Sequence, residues 1–223
     1  MKSKYLAALA VLLLACNSAE AAIRITEWMY QGNPDEEIVA PEAGEFVELT
    51  NIGTTPIDMT GWWFRDSGDS VAPFDLSEFG IVLPGESVVW TDWSAPLFKE
   101  AWGLGPDVDV IGFSEPGLGR GDTINIYDAT DTLVDTLQYD DRDVPGPPRT
   151  RQISANIPLA ALGLNDAAQA IASFEGDEFG SYTNSRLEIG NPGFYAPIAA
   201  IPEPASLALV ATCGLLLVAH RSR

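Results

Sequence analysis

The residues that could do chemistry in this chain are mostly carboxylates. Its one histidine is His220, within the last four residues, and its two cysteines are Cys16 and Cys213, near either end. The long body between them therefore lacks the side chains for Ser-His-Asp or Cys-His catalysis and for histidine or thiolate zinc sites. No GxxxxGK[ST] stretch is present, and Gly117-Leu118-Gly119-Arg120-Gly121 has the wrong spacing for a dinucleotide loop, so it reads as a glycine-rich turn. Glycosidase chemistry needs only two carboxylates, but nothing singles out a pair among 32 Asp and Glu. Asp141-Arg142-Asp143-Val144-Pro145-Gly146 copies the opening of an EF-hand loop, yet its twelfth position is Gln152, where a bidentate Glu is needed. Calcium stays open at Asp66-Ser67-Gly68-Asp69 and Asp128-Ala129-Thr130-Asp131, residue types that serve turns equally well. The tryptophans Trp28, Trp62, Trp63, Trp90, Trp93 and Trp102 suit carbohydrate stacking where exposed, although a body without disulfides needs most of them in its core. These residues predict no catalytic group, no assigned metal and no cofactor.

A formal net charge of −20 repels phosphate backbones, so nucleic acid is excluded as a partner on electrostatic grounds. Lys2, Lys4, Arg221 and Arg223 lie at the ends, so the body is more acidic still. Its length suits one sizeable domain.

The two ends carry targeting chemistry. Lys2 and Lys4 precede an apolar run from Tyr5 to Ala15, and Ala19-Glu20-Ala21 supplies an A-x-A site. That order predicts a signal peptide over residues 1–21, a helix removed by signal peptidase after Ala21. A rival reading is lipidation of Cys16, because Leu13-Leu14-Ala15-Cys16 is similar to a lipobox. At the other end, Pro202-Glu203-Pro204 is followed by an uncharged run from Ala205 to Ala219 and then by His220-Arg221-Ser222-Arg223. Two prolines hold a helix-resistant peptide around Glu203. The fifteen apolar residues predict a single hydrophobic helix of about 22 Å, short for a bilayer core. Arg221 and Arg223 are its topological stop on the cytoplasmic side.

This C-terminal order resembles the PEP-CTERM sorting signal, here over residues 202–223. The resemblance implies that Pro202, Glu203 and Pro204 are recognised by an exosortase, a membrane protease-transpeptidase of Gram-negative bacteria. It implies export, a transient single-pass membrane segment, and delivery to the cell surface or an exopolysaccharide matrix. The alternative is an ordinary C-terminal anchor that is never cleaved.

Between the ends, short alternating runs separated by Gly, Pro, Asn and Asp predict an all-β sandwich over residues 22–195, with 196–201 as a linker. Expected strands are Ile23–Trp28, Glu45–Asn51, Pro56–Phe64 as one strand, Ile81–Val82 before a turn at Pro84-Gly85, and Ser87–Thr91. A helical turn or two is expected over Pro96–Trp102, then a hairpin of Asp122–Asp128 and Thr132–Tyr139. From residue 140 the pattern is less regular, with a short helix near Pro158, an edge strand over Ala170–Phe174, and Gly190-Asn191-Pro192-Gly193 closing the domain.

Arg24-Ile25-Thr26-Glu27, Glu45-Phe46-Val47-Glu48-Leu49-Thr50-Asn51, Ile57-Asp58-Met59-Thr60-Gly61-Trp62, Leu83-Pro84-Gly85-Glu86 and Gly121-Asp122-Thr123-Ile124 together resemble the lamin-tail domain. The resemblance implies an immunoglobulin-like β-sandwich acting as a non-catalytic binding or scaffold module. The functional expectation is an exported, surface-sorted module, with a carbohydrate- or calcium-binding module as the alternative and a carboxylate-based hydrolase behind both.

Overall fold

The computed structural model describes residues 23–33, 44–66, 72–114 and 117–196. The predicted signal helix and C-terminal hydrophobic helix lie outside them. Within them, no helix is long and apolar enough to cross a membrane.

The first half of the chain forms strands β1 (Ile23–Met29), β2 (Phe46–Asn51), β3 (Ile57–Asp58), β4 (Trp63–Arg65), β5 (Phe74–Asp75), β6 (Ile81–Val82) and β7 (Ser87–Thr91). Helix α1 (Ala95–Trp102) and β8 (Asp109–Ile111) follow. The second half forms β9 (Gly121–Tyr127), β10 (Leu133–Asp140), β11 (Ala155–Asn156), β12 (Ile171–Ala172), β13 (Tyr182–Thr183) and β14 (Ile189–Gly190). Six strands make one sheet in the order β12-β11-β1-β2-β7-β8, and four make a second in the order β10-β9-β4-β5. The architecture is all-β, as the alternation predicts.

Pro56–Phe64 is not one strand. Met59 to Trp62 turns, with a Met59 carbonyl accepting from Trp62 N at 3.0 Å and Gly61 at φ 79°. That positive φ is accessible to glycine at no Cβ cost, and it separates β3 from β4. The two pieces join different sheets, β3 pairing with β6 and β4 with β5 and β9.

The core lies between the two large sheets. Ile23, Ile25 and Trp28 of β1, Val47 and Leu49 of β2, and Val88 and Trp90 of β7 face Phe64, Ile124, Ile126, Leu137 and Tyr139. Phe64 packs on Trp90 with ring centroids 4.9 Å apart, and Trp28 packs on Tyr139 at 5.6 Å. These rings bring large apolar area to a core that no disulfide supports.

Strands β7 and β8 run parallel, and α1 is the crossover between them. Pro96 sits in the first turn of α1, and Gly103 in the left-handed region ends it, its N–H bonding to the Glu100 carbonyl. The crossover lays Phe98, Ala101 and Trp102 on the outer face of the six-stranded sheet against Met29, Phe46 and Val89. Trp93 and Trp102 are buried in this layer and Trp28, Trp62 and Trp90 between the sheets, so Trp63 alone is only half-buried.

Candidate functional site

Strict alternation from Ile23 would put Glu27 on the core side with Ile25. A β-bulge between Ile25 and Glu27 prevents this, because one extra residue lets Thr26 and Glu27 both leave the core while Trp28 returns to it. On β2 the period of two places Phe46, Glu48 and Thr50 on the same outer face. Glu27 and Glu48 end as direct cross-strand partners, both 0% exposed.

The chain's own C-terminal part covers this polar patch. Gly193 N donates to Glu48 Oε2 at 2.8 Å, and Asn191 N donates to Glu27 Oε1 at 2.9 Å. Thr26 Oγ1 bonds Glu48 Oε1 at 2.5 Å, and Thr50 Oγ1 links Thr26 to Ser87 through 2.8 Å contacts on both sides. Ser154 donates to Glu27 Oε1 and also contacts Ser173. Asn156 Nδ2 reaches Asn191 Oδ1 at 2.8 Å, which Ser181 also approaches at 2.9 Å. Gly193 stands at φ 89°, and a Cβ there would lie 2.8 Å from Val108, so the closing phrase needs glycine where it crosses the sheet.

Two like charges in a dry site cannot both persist. Burial first, and then the neighbouring Glu48, push Glu27 well above its ordinary value. Burial pushes Glu48 up to about 7, against the opposing pull of its Thr26 and Gly193 donors. Glu48 accepts on both oxygens, whereas Glu27 Oε2 is buried with no partner among the described residues. The proton therefore belongs on Glu27, where it turns Oε2 into a donor. Asn156, the register partner of Glu27 on its other side, also has a buried Oδ1 with no partner among the described residues.

Tyr195 ends the segment, fully buried, its hydroxyl donating to the Ile157 carbonyl at 2.6 Å. Tyr195→Phe is expected to lower unfolding free energy by about 1 kcal/mol, read as a lower urea midpoint at unchanged slope. An unchanged midpoint would show that this segment contributes nothing to the folded unit.

The outer face of the four-stranded sheet is different in kind. Trp63 pairs in register with Tyr127 of β9 on one side and Asp75 of β5 on the other. Its ring stacks face to face on Tyr127, with centroids 4.0 Å apart and planes 8° from parallel. Trp63 Nε1 donates to Asp131 Oδ1 at 3.3 Å, and the Arg65 guanidinium lies 5.4 Å from the indole centroid. Beside this pair opens a cleft of about 820 Å³ lined by Trp63, Arg65, Pro73, Asp75, Tyr127 and Asp131, among others. Asp75 is held below its ordinary value by hydrogen bonds from Ser77, so it stays ionised at the cleft wall.

Of the loop carboxylates weighed for calcium, Asp141 and Asp128 are engaged elsewhere, whereas Ser67, Gly68 and Asp69 lie outside the described residues. Asp141 accepts from the Tyr30 hydroxyl at 2.8 Å and pairs with Arg120 at 2.7 Å and Arg149 at 3.6 Å. Asp128 accepts from Thr130 N, Thr130 Oγ1 and Thr132 N, tying its own turn. Among the described residues, no group of three or more His, Cys, Asp or Glu is placed to hold a metal ion. The targeting residues Ala19, Ala21, Pro202, Glu203, Pro204, Arg221 and Arg223 lie outside the described residues.

Sequence reasoning missed Glu27 and Glu48 as a pair. The available signal was one acid at an outward position of β2 and another where alternation on β1 calls for a core residue, together with a closing Gly-Asn-Pro-Gly rich in backbone donors. The family model described as Lamin Tail Domain matches residues 17–141, more than half of the chain. Strands β11 to β14 lie beyond that match. No curated protein matches the sequence.

Proposed function

Because the chain belongs to the lamin tail domain family, we propose that it is a non-catalytic binding and scaffold module displayed on the surface of a Gram-negative-type cell envelope or in its exopolysaccharide. The observation that carries the non-catalytic part is the state of Glu27 and Glu48. They are the acids that the fold sets side by side across two central strands, and both are wholly buried, holding backbone N–H groups of the chain itself. A glycosidase pair has to reach substrate and water. These two reach neither.

Display rests on the two ends. Signal peptidase cuts after Ala21, and an exosortase recognises Pro202, Glu203 and Pro204 while the apolar run holds the protein in the membrane, with Arg221 and Arg223 inside. The strongly acidic body suits a solvated surface protein that does not adhere to anionic polymers. The test is the intact mass of the protein recovered from its native cell surface, alongside a Glu203→Ala variant. The expected result is loss of both termini, with a C-terminal cut at or near Pro202 to Pro204 that the variant blocks. A chain still ending at Arg223 would make the apolar run a permanent anchor and remove sorting from the reading.

A further inference from the structure

We propose that the cleft beside Trp63 and Tyr127 binds an uncharged linear polysaccharide, with Trp63 as the stacking surface and Asp75 and Asp131 as acceptors for sugar hydroxyls. This deepens the binding-module reading and rests on it. Five tryptophans of this chain are buried, each no more than 9% exposed, while Trp63 is half-buried on a sheet face that the described residues cover less fully. Tyr127 occupies the β9 side of the indole, the Arg65 guanidinium lies 5.4 Å from its centroid, and Pro73, Asp75 and Ser77 of the β5 side also line the cleft, so a sugar seated on the indole shares the ring with Arg65. Stacking on Tyr127 and the Nε1 bond to Asp131 hold the indole in place before any ligand arrives, which lowers the ordering cost of binding.

The chemistry around the ring selects the ligand class. A sugar ring offers an apolar C–H face to an indole and a rim of hydroxyl donors to carboxylates. The volume of about 820 Å³ lies within the range of small-molecule sites. Asp75 and Asp131 outnumber the one guanidinium in the cleft, that of Arg65, and with a formal net charge of −20 they work against an acidic polymer. Length is indicated by a second cavity, of about 610 Å³, lined by Phe74, Val110 and Phe113 and sharing Pro73 and Asp75 with the first. The two hollows meet at β5, the outermost strand of its sheet, so a chain seated on Trp63 has a path across that edge toward the exposed Phe113.

Calorimetric titration of the full-length protein with cellohexaose and laminarihexaose, and with a hexamer of mannuronate as the acidic control, tests this. Saturable binding of at least one neutral hexamer is expected, weakened tenfold or more by Trp63→Ala and several-fold by Asp75→Ala, retained by Trp63→Tyr, and absent for mannuronate. Should Trp63→Ala fail to fold, oxidation of Trp63 by N-bromosuccinimide in the unaltered protein, followed by peptide mass, serves instead; a saturating hexamer is expected to slow it. No binding of either neutral hexamer, wild-type affinity in Trp63→Ala, no protection of Trp63, or preference for mannuronate would each overturn the site. Retention of the protein on native exopolysaccharide, unaffected by Trp63→Ala, would keep the module reading and remove this site alone.

Discussion

Glu48→Ala is expected to destabilise the fold by about 4 kcal/mol, within the range for removing one member of a buried charged network. The side chain is 0% exposed and accepts from Thr26 Oγ1 at 2.5 Å and Gly193 N at 2.8 Å, with Thr50 Oγ1 at 3.4 Å. Alanine leaves the Gly193 N–H without its acceptor inside the protein and opens a void where the carboxylate was, and both effects cost free energy. A loss of this size corresponds to a fall in Tm of roughly 10 °C for a domain of this length. The damage should also be directional. Gly193 and Asn191 are the points where the C-terminal segment is tied to β2 and β1, so limited proteolysis of the variant is expected to cut first between about residues 173 and 195. Thermal melts and the identity of the first proteolytic fragment check both parts. A Tm within about 2 °C of wild type would show that the carboxylate does not tie the segment to the sheet.

How much of this was readable beforehand follows from what periodicity encodes. Alternation in Ile23–Trp28, Glu45–Asn51 and Ser87–Thr91 identified the three central strands, and the Asp128–Asp131 turn residues identified the β9–β10 hairpin, because each signal is local. Alternation also states which side chains share a face, but not what covers that face. Glu48 reads as a solvent-facing residue on β2, and it is buried only because a segment some 145 residues later crosses above it. The bulge at Glu27 escapes the same rule, since a slip of one residue leaves composition unchanged and reverses the faces. Strands β5, β8, β11, β13 and β14 are two or three residues long, too short to show any period, and their pairing depends on partners already in place. Trp63 was legible as a tryptophan and not as the half-exposed one. Its neighbour Trp62 has the same chemistry, and only the turn at Gly61 decides which indole faces the core.

The stability of the protein should decline as pH rises from about 4.5 to about 7. In that interval the folded state keeps a proton that the unfolded chain has released, because burial raises Glu48 from 4.5 to about 7 and moves Glu27 in the same direction. Unfolding then releases a proton, so rising pH favours the unfolded chain, and a rise from 4.5 to about 7 for the proton that the pair holds corresponds to about 3 kcal/mol across the window. The opposite trend begins lower. Asp75, Asp128 and Asp140 are held below their ordinary values by hydrogen bonds, and their contributions are lost as pH falls through those lowered values. Asp75 is exposed and Asp128 and Asp140 are half-buried at the surface, where solvent screens them, so that loss is small. The stability maximum is therefore expected near pH 4.5, well below neutrality. Glu27→Gln separates the buried pair from general charge repulsion. Glutamine reproduces the protonated acid: its oxygen still accepts from Asn191 N and Ser154, and its amide supplies a donor on the side where Glu27 Oε2 and Asn156 Oδ1 lack one. The substitution also removes the group that holds the proton, so the variant should match wild type at pH 4.5, equal or exceed it at pH 7, and show a flatter slope between. Urea unfolding at a series of pH values reads all three. A Glu27→Gln protein more than about 2 kcal/mol weaker than wild type at pH 7 would mean that Glu27 is ionised in the folded state and that the proton belongs to Glu48 instead.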